Sequence, residues 1–143
     1  MGDIAKADPT AYDMVLVPGG FGAAKNLCDF ATRGAGLEVF APVATFLEAA
    51  HKAGKPMGFI CIAPVVAAKL FGADGVHLTI GCDPGTASAI QALGAIHENH
   101  PVDGVAIDKR LKIASTPAYM LGKRICEVGQ GIDKLVDAVV AMA

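Results

Sequence analysis

Tryptophan is absent from this sequence, and only 6% of its residues are aromatic. Charge is scarce too: 12 Lys and Arg against 14 Asp and Glu make up 18% of the chain, where about 25% is usual for a soluble domain. The net charge of −2 favours neither sign strongly, and no basic stripe alternates with aromatics. That removes the electrostatic footprint of a nucleic-acid partner or an anionic membrane surface. No uninterrupted apolar run approaches the ~18 residues a spanning helix requires. The opening residues, with Asp3, Lys6 and Asp8, do not read as a signal peptide. Cys28, Cys61, Cys82 and Cys126 contain no C-x-x-C pair, so neither a structural zinc site nor a disulfide framework is indicated. Reduced thiols in the cytoplasm are expected.

Small and apolar residues are what the chain does have. Hydrophobic residues reach 53%, 17 of 143 residues are Gly, and mean hydropathy is +0.48. This length suits one domain, on the prior of about 100–200 residues each, and can bury enough surface to fold without a staple. So apolar a chain with so few charges is expected to bury surface against another chain, as a homo-oligomer or with a partner.

Asp13-Met-Val-Leu-Val17 reads as a buried parallel strand ended by Pro18-Gly-Gly20. Residues 21–36 are Gly/Ala-rich and irregular. Pro42, Val43, Phe46, Leu47 and Ala50 have helical spacing, stopped by Gly54 and Pro56. Met57-Gly-Phe-Ile60 is a second short strand, and Pro64 opens a helix to Phe71. A third strand is expected over residues 76–80. Asp83-Pro84 looks like an N-cap and first helical residue. Residues 104–107 and 111–115 form a hairpin around Asp108-Lys-Arg110. A closing helix carries Ile132, Leu135, Val136, Val139 and Val140 on one face, with Gly129 and Gly131 expected to break it from a shorter one. Strands alternating with helices argue for an α/β sandwich around a mainly parallel sheet, with ligands beyond the carboxyl ends of the strands.

Cys61 stands at such an end, directly before a helix. That is the setting of a nucleophile elbow, where the helix-start amides and dipole favour thiolate and the Ile62 N–H can donate to an oxyanion. Phe59 and Ala63 replace the two glycines of G-x-S-x-G, and a small buried core cysteine fits the same local sequence. Packing roles are expected for Cys28, Cys82 and Cys126. Pro18-Gly-Gly-Phe-Gly22 lacks the features of a phosphate cradle; it is either a plain tight turn or one that brings amides near Cys61. His97 and His100 could share a metal on a helix, but Gly94 and Pro101 make this strand or loop, and a solvated pair is expected. His51 suits the end of a helix, and His77 a structural place in a strand. No metal site is assigned.

Three stretches taken together, Pro18-Gly-Gly-Phe-Gly-Ala-Ala-Lys-Asn-Leu27, Gly58-Phe-Ile-Cys-Ile-Ala-Pro64 and Thr116-Pro-Ala-Tyr-Met120, give a chain that resembles the ElbB family. These proteins are named for isoprenoid (lycopene) biosynthesis and belong to the DJ/PfpI group of class I glutamine amidotransferase-like folds. The resemblance implies a flavodoxin-like three-layer sandwich with Cys61 as nucleophile and the N–H groups of Gly20 and Ile62 as oxyanion donors. Gly19, Asn26, Asp83 and Pro117 become candidates to line the pocket. The implied chemistry is glyoxalase- or deglycase-like, without a cofactor, on small carbonyls such as glyoxal and methylglyoxal. A non-catalytic redox-responsive module and an inactive fragment needing a second chain are the alternatives.

The chain departs from the pattern in two ways. The superfamily His about twenty residues after the Cys is missing: that register falls at Gly81, beside Cys82 and Asp83, where Asp83 either orients a water or caps a helix. Family members also carry a strand–helix–strand unit before the position of Met1, with the Glu that contacts the thiol. Residues 1–143 are therefore expected to be a single, N-terminally incomplete domain whose missing strand a partner chain supplies.

Overall fold

The computed structural model describes residues 2–143. Its main sheet has four strands in the order β1-β2-β6-β5, namely β1 (Val15–Val17), β2 (Met57–Ile60), β6 (Ile113–Thr116) and β5 (Ala106–Asp108). β1–β2 and β2–β6 are parallel, with Val15 opposite Met57 and Ile60 opposite Thr116. β5–β6 is the expected antiparallel hairpin. The structure is thus an α/β fold around a mainly parallel sheet, flavodoxin-like, with helices on both sides.

β2 shows how the layers form. Met57 and Phe59 are fully buried in the larger core, together with residues of α2 (Ala41–Lys52), α3 (Pro64–Phe71) and α4 (Pro84–Ala92). Gly58 points the other way, as strand alternation requires. A Cβ there would stand 2.7 Å from Leu16 Cδ2 and 3.0 Å from Val139 Cγ2, so its absence lets α5 (Ile125–Val140) settle on the sheet. Leu135 and Val139 of α5 pack there against Ala114. Pro opens the first turn of α2, α3 and α4, where its missing N–H costs nothing. Asp83 caps α4, accepting the Thr86 N–H at 2.8 Å.

Three expectations need correction. The strand expected over residues 76–80 shrinks to β3 (His77–Leu78), which pairs only with β4 (Ile96–His97). Its backbone reaches the main sheet through side chains: the Thr79 N–H donates to Ser115 Oγ at 2.8 Å and the His77 N–H to Asp108 Oδ2 at 3.2 Å. α5 runs unbroken through Gly129 and Gly131. Gly131 is there for close approach, since a Cβ would lie 2.5 Å from the Val102 carbonyl oxygen, whereas one on Gly129 would meet nothing within 4 Å. The histidines are not simply solvated. Glu98 holds His77 Nδ1 at 2.6 Å and His100 Nε2 at 3.1 Å, and His97 Nε2 accepts the Ile80 N–H at 3.3 Å. His51, in the last turn of α2, lies 4.7 Å from the Phe71 ring, centroid to centroid.

The two helical glycines should therefore respond oppositely to alanine. Gly129→Ala gains helix propensity and should raise stability by up to about 1 kcal/mol. Gly131→Ala should cost about 1–3 kcal/mol through overpacking. Urea midpoints compare them directly, and equal shifts would refute the packing account.

Acid should loosen the β3–β4 region. Burial holds His97 below its ordinary value of 6.5, so the unfolded chain takes the proton first and stability is lost as pH falls through 6.5 toward the lower folded value. Hydrogen bonds from His77 and then His100 hold Glu98 below 4.5, so its contribution is present above 4.5 and lost below. The melting temperature should fall between pH 7 and 5, less steeply in His97→Gln. Glu98→Gln should remove the slope below about pH 4.5 and, because the Glu98 charge favours protonated His97, steepen the loss between pH 7 and 5.

Candidate active site

Because β1 and β2 are parallel and in register, their carboxyl ends lie side by side, with Val17 opposite Phe59. The turns that follow therefore meet. A Cβ on Gly19 would stand 2.4 Å from the Ile60 carbonyl oxygen and 2.6 Å from Cys61 Cβ, so only glycine fits. Gly20, at φ 93°, then swings the chain away.

Cys61 itself has φ 63°, a left-handed conformation that costs a non-glycine residue roughly 1–2 kcal/mol. Its neighbours hold it there. The Cys61 N–H donates to the Thr116 carbonyl of β6 at 3.0 Å, Ala63 N–H to Ile60 O at 3.1 Å, and Val66 N–H to Ala63 O at 2.9 Å. Pro64 follows as the first residue of α3. Phe59 and Ala63, which stand where an elbow motif has glycine, are both fully buried. Among the described residues, the N–H groups of Gly20 and Ile62 donate to no hydrogen-bond partner.

Cys61, Gly20 and Ile62 line one cavity of about 270 Å³. Its remaining wall is Phe21, Phe30 and Met120 with two alanines, Ala24 and Ala31. Phe30 and Ala31 belong to α1 (Phe30–Arg33), within an excursion closed at its base by Asp29 N–H to Glu38 O at 3.1 Å and Phe40 N–H to Leu27 O at 2.8 Å. The Asp29 carboxylate takes the Glu38 N–H at 2.6 Å, and that bond, then Arg33, holds its pKa below the usual range. Met120 comes from a short turn, Ala118–Met120, entered through left-handed Ala118 at φ 45°.

The other sequence candidates are placed elsewhere. Gly19 lies beneath Cys61 as packing. Asn26 lines a neighbouring cavity with Lys25, Cys28 and Asp29, because the π-helical turn Ala23–Leu27 points it away. Asp83 is occupied as the α4 cap, and the Thr86 N–H holds its carboxyl below the usual range. Pro117 is buried behind the turn that presents Met120. None of these four lines the Cys61 cavity. Cys28 is buried, its S–H 3.7 Å from the Ala23 carbonyl, and burial pushes its thiol up. Cys82 and Cys126 are exposed rather than packed; Cys126 falls off the α5 stripe of Val128, Gly131, Leu135 and Val139. The wall residues Phe21, Phe30 and Met120 were not anticipated. Phe21 and Met120 lie inside stretches that carried the family resemblance, whereas Phe30 carried no signal. Among the described residues, no group of three or more His, Cys, Asp or Glu is placed to hold a metal ion, and no helix is long and apolar enough to cross a membrane.

No family model matches the chain. Over 98% of its length it is 39% identical to the human "Glutamine amidotransferase-like class 1 domain-containing protein 3, mitochondrial" and 37% identical to the rat "ES1 protein homolog, mitochondrial". In each case 55% of the relative is covered, so the chain spans about half the length of the curated relatives it matches. A crystal structure of an Ehrlichia chaffeensis isoprenoid biosynthesis protein with amidotransferase-like domain superposes with a TM-score of 0.87 at 27% identity, covering 99% of this chain and 64% of that one. The chain shares its fold with that amidotransferase-like protein. The Rapid Encystment Protein of Francisella tularensis shares the fold alone, with a TM-score of 0.65 at 12% identity over 99% of this chain and 62% of that one.

If the elbow is held against Gly19, Gly19→Ala should cost about 1–3 kcal/mol in urea unfolding and change the alkylation rate of Cys61 relative to Cys126, read by mass spectrometry. Gly36→Ala, where a Cβ meets nothing within 4 Å, should leave that ratio unchanged. An unchanged ratio in Gly19→Ala would separate the elbow from the turn.

Proposed function

We propose that this domain is ElbB-like and that Cys61 is the nucleophile of a cofactor-free, glyoxalase- or deglycase-like reaction on small reactive carbonyls. The observation that supports this is the strained Cys61 beside two unpartnered amides on one cavity. Strain of this kind concentrates at functional sites. The sulfur lone pair forms a C–S bond to the aldehyde carbon while the C=O π pair moves to oxygen. The N–H groups of Gly20 and Ile62 stabilise that oxyanion until it takes a proton from water. Through an enediol, the carbon-bound proton then moves from the former aldehyde carbon to the adjacent carbonyl carbon while the hydroxyl proton moves from the first oxygen to the second, oxidising the first carbon to a thioester carbonyl as the second is reduced to a carbinol. Water cleaves the resulting thioester to the hydroxyacid and returns the thiol, so no external oxidant is needed.

A second reading has one observation in its favour. Among the described residues, Cys61 is the only titratable side chain on the cavity wall, so no imidazole or carboxylate there can shuttle the proton. The cavity then serves a redox-responsive or regulatory module, in which Cys61 is reversibly oxidised. Alternatively, a second copy or partner chain supplies the acid and covers β1, an edge strand whose Leu16 is 39% exposed. The free thiols suit the cytoplasm; two relatives have names that say mitochondrial, and a fluorescent fusion would distinguish the two locations.

With methylglyoxal, the domain should form lactate, a product abolished in Cys61→Ala, and the adduct should protect Cys61 from iodoacetamide relative to Cys126. An adduct without lactate would support the regulatory reading or the need for a second chain, which gel filtration resolves. Lactate formation unaffected by Cys61→Ala would overturn the proposal.

A further inference from the structure

The wall of the Cys61 cavity offers the non-reacting part of a substrate almost nothing polar. Phe21, Ala24, Phe30, Ala31 and Met120 carry no side-chain hydrogen-bonding group beyond a thioether, and the two amides without partners belong to Gly20 and Ile62, which line the cavity with Cys61. Lys25 Nζ lies 5.4 Å from the centroid of the Phe21 ring but lines the neighbouring cavity. An α-amino acid or sugar tail would lose hydration here without regaining partners, a penalty that grows steeply for charged groups. An alkyl or aryl tail gains about 0.8 kcal/mol per buried methylene, which is three- to fourfold in rate or affinity. Methionine and small alanine walls adapt to such tails.

We infer that this cavity selects carbonyl compounds with an uncharged apolar tail, alkyl or aryl 2-oxoaldehydes above all, and disfavours charged or hydroxylated ones such as glyoxylate or glutamine. The inference rests on the proposed carbonyl chemistry for its substrate class, but the selectivity of the wall can be measured without turnover. The bond-forming step is the one given above, sulfur to aldehyde carbon, and needs no further reactant.

The test uses the intact chain and three alkylating probes: iodoacetamide, iodoacetate and iodoacetanilide. Mass spectrometry reads the rate at Cys61 against exposed Cys126 as an internal reference without this cavity. Relative to iodoacetamide, iodoacetanilide should be favoured at Cys61 over Cys126 by about tenfold or more, and iodoacetate disfavoured. Ala31→Asp, at an exposed wall position, should erase the anilide preference while leaving the reagent ratios at Cys126 unchanged. Equal ratios at Cys61 and Cys126 would overturn the inference. In parallel, phenylglyoxal, methylglyoxal and glyoxylate are compared for adducts at Cys61, with adduct formation expected in that order. Anilide preference without any carbonyl adduct would leave the wall's selectivity standing and remove the carbonyl chemistry. Carbonyl adducts without preference would do the reverse.

Discussion

The site depends on a missing side chain. Parallel pairing of β1 with β2 brings the ends of both strands level, so the two outgoing turns compete for one volume. That volume is filled by the Ile60 carbonyl and Cys61 Cβ because Gly19 has nothing to put there. The left-handed backbone of Cys61 is then held from three directions: a hydrogen bond across to Thr116 of β6, the tight turn through Ala63, and Pro64 opening α3. A conformation this costly persists only when its surroundings over-determine it.

The electrostatics of the cavity consequently come from the backbone. The turn that strains Cys61 leaves Ile62 N–H unpartnered, and the glycine pair after β1 leaves Gly20 N–H in the same state. Fixed amide dipoles of this kind do not reorganise as charge develops, and they act more strongly beside an apolar wall than in water. A chain with only 18% charged residues can still build such a site, since the donors are peptide groups.

Much of this was legible from local chemistry. Pro64, Pro84 and Asp83 marked the starts of α3 and α4, and the apolar pairs of strands at 15–17 and 57–60 were read within two residues. The failures have a common physical origin in partners distant along the chain. β3 is short because Ser115 and Asp108, more than thirty residues away, satisfy the Thr79 and His77 amides with side chains, and periodicity carries no trace of that. Gly131 looked like a break because its reason, the Val102 carbonyl, lies outside its helix. Gly20 and Ile62, adjacent to turns visible in the sequence, came together with Cys61. Asn26 and Pro117 did not reach the cavity, and the wall that does, Phe21, Phe30 and Met120, is assembled from three separate segments.

That assembly also divides the chemistry in two. Under the proposed function, capture of a carbonyl needs a nucleophilic sulfur, donors for one oxygen and a place for an apolar tail, and Cys61, Gly20 and Ile62 line one cavity with an apolar wall. Moving a proton between neighbouring carbons needs something more, a base within about 3 Å of the carbon-bound proton or one water away. No wall side chain other than Cys61 can fill that role. Capture and turnover are therefore separable properties of this fold. Under the proposed function, a hemithioacetal formed here reverts to aldehyde and thiol unless a base, delivered as water or by another chain, removes its carbon-bound proton.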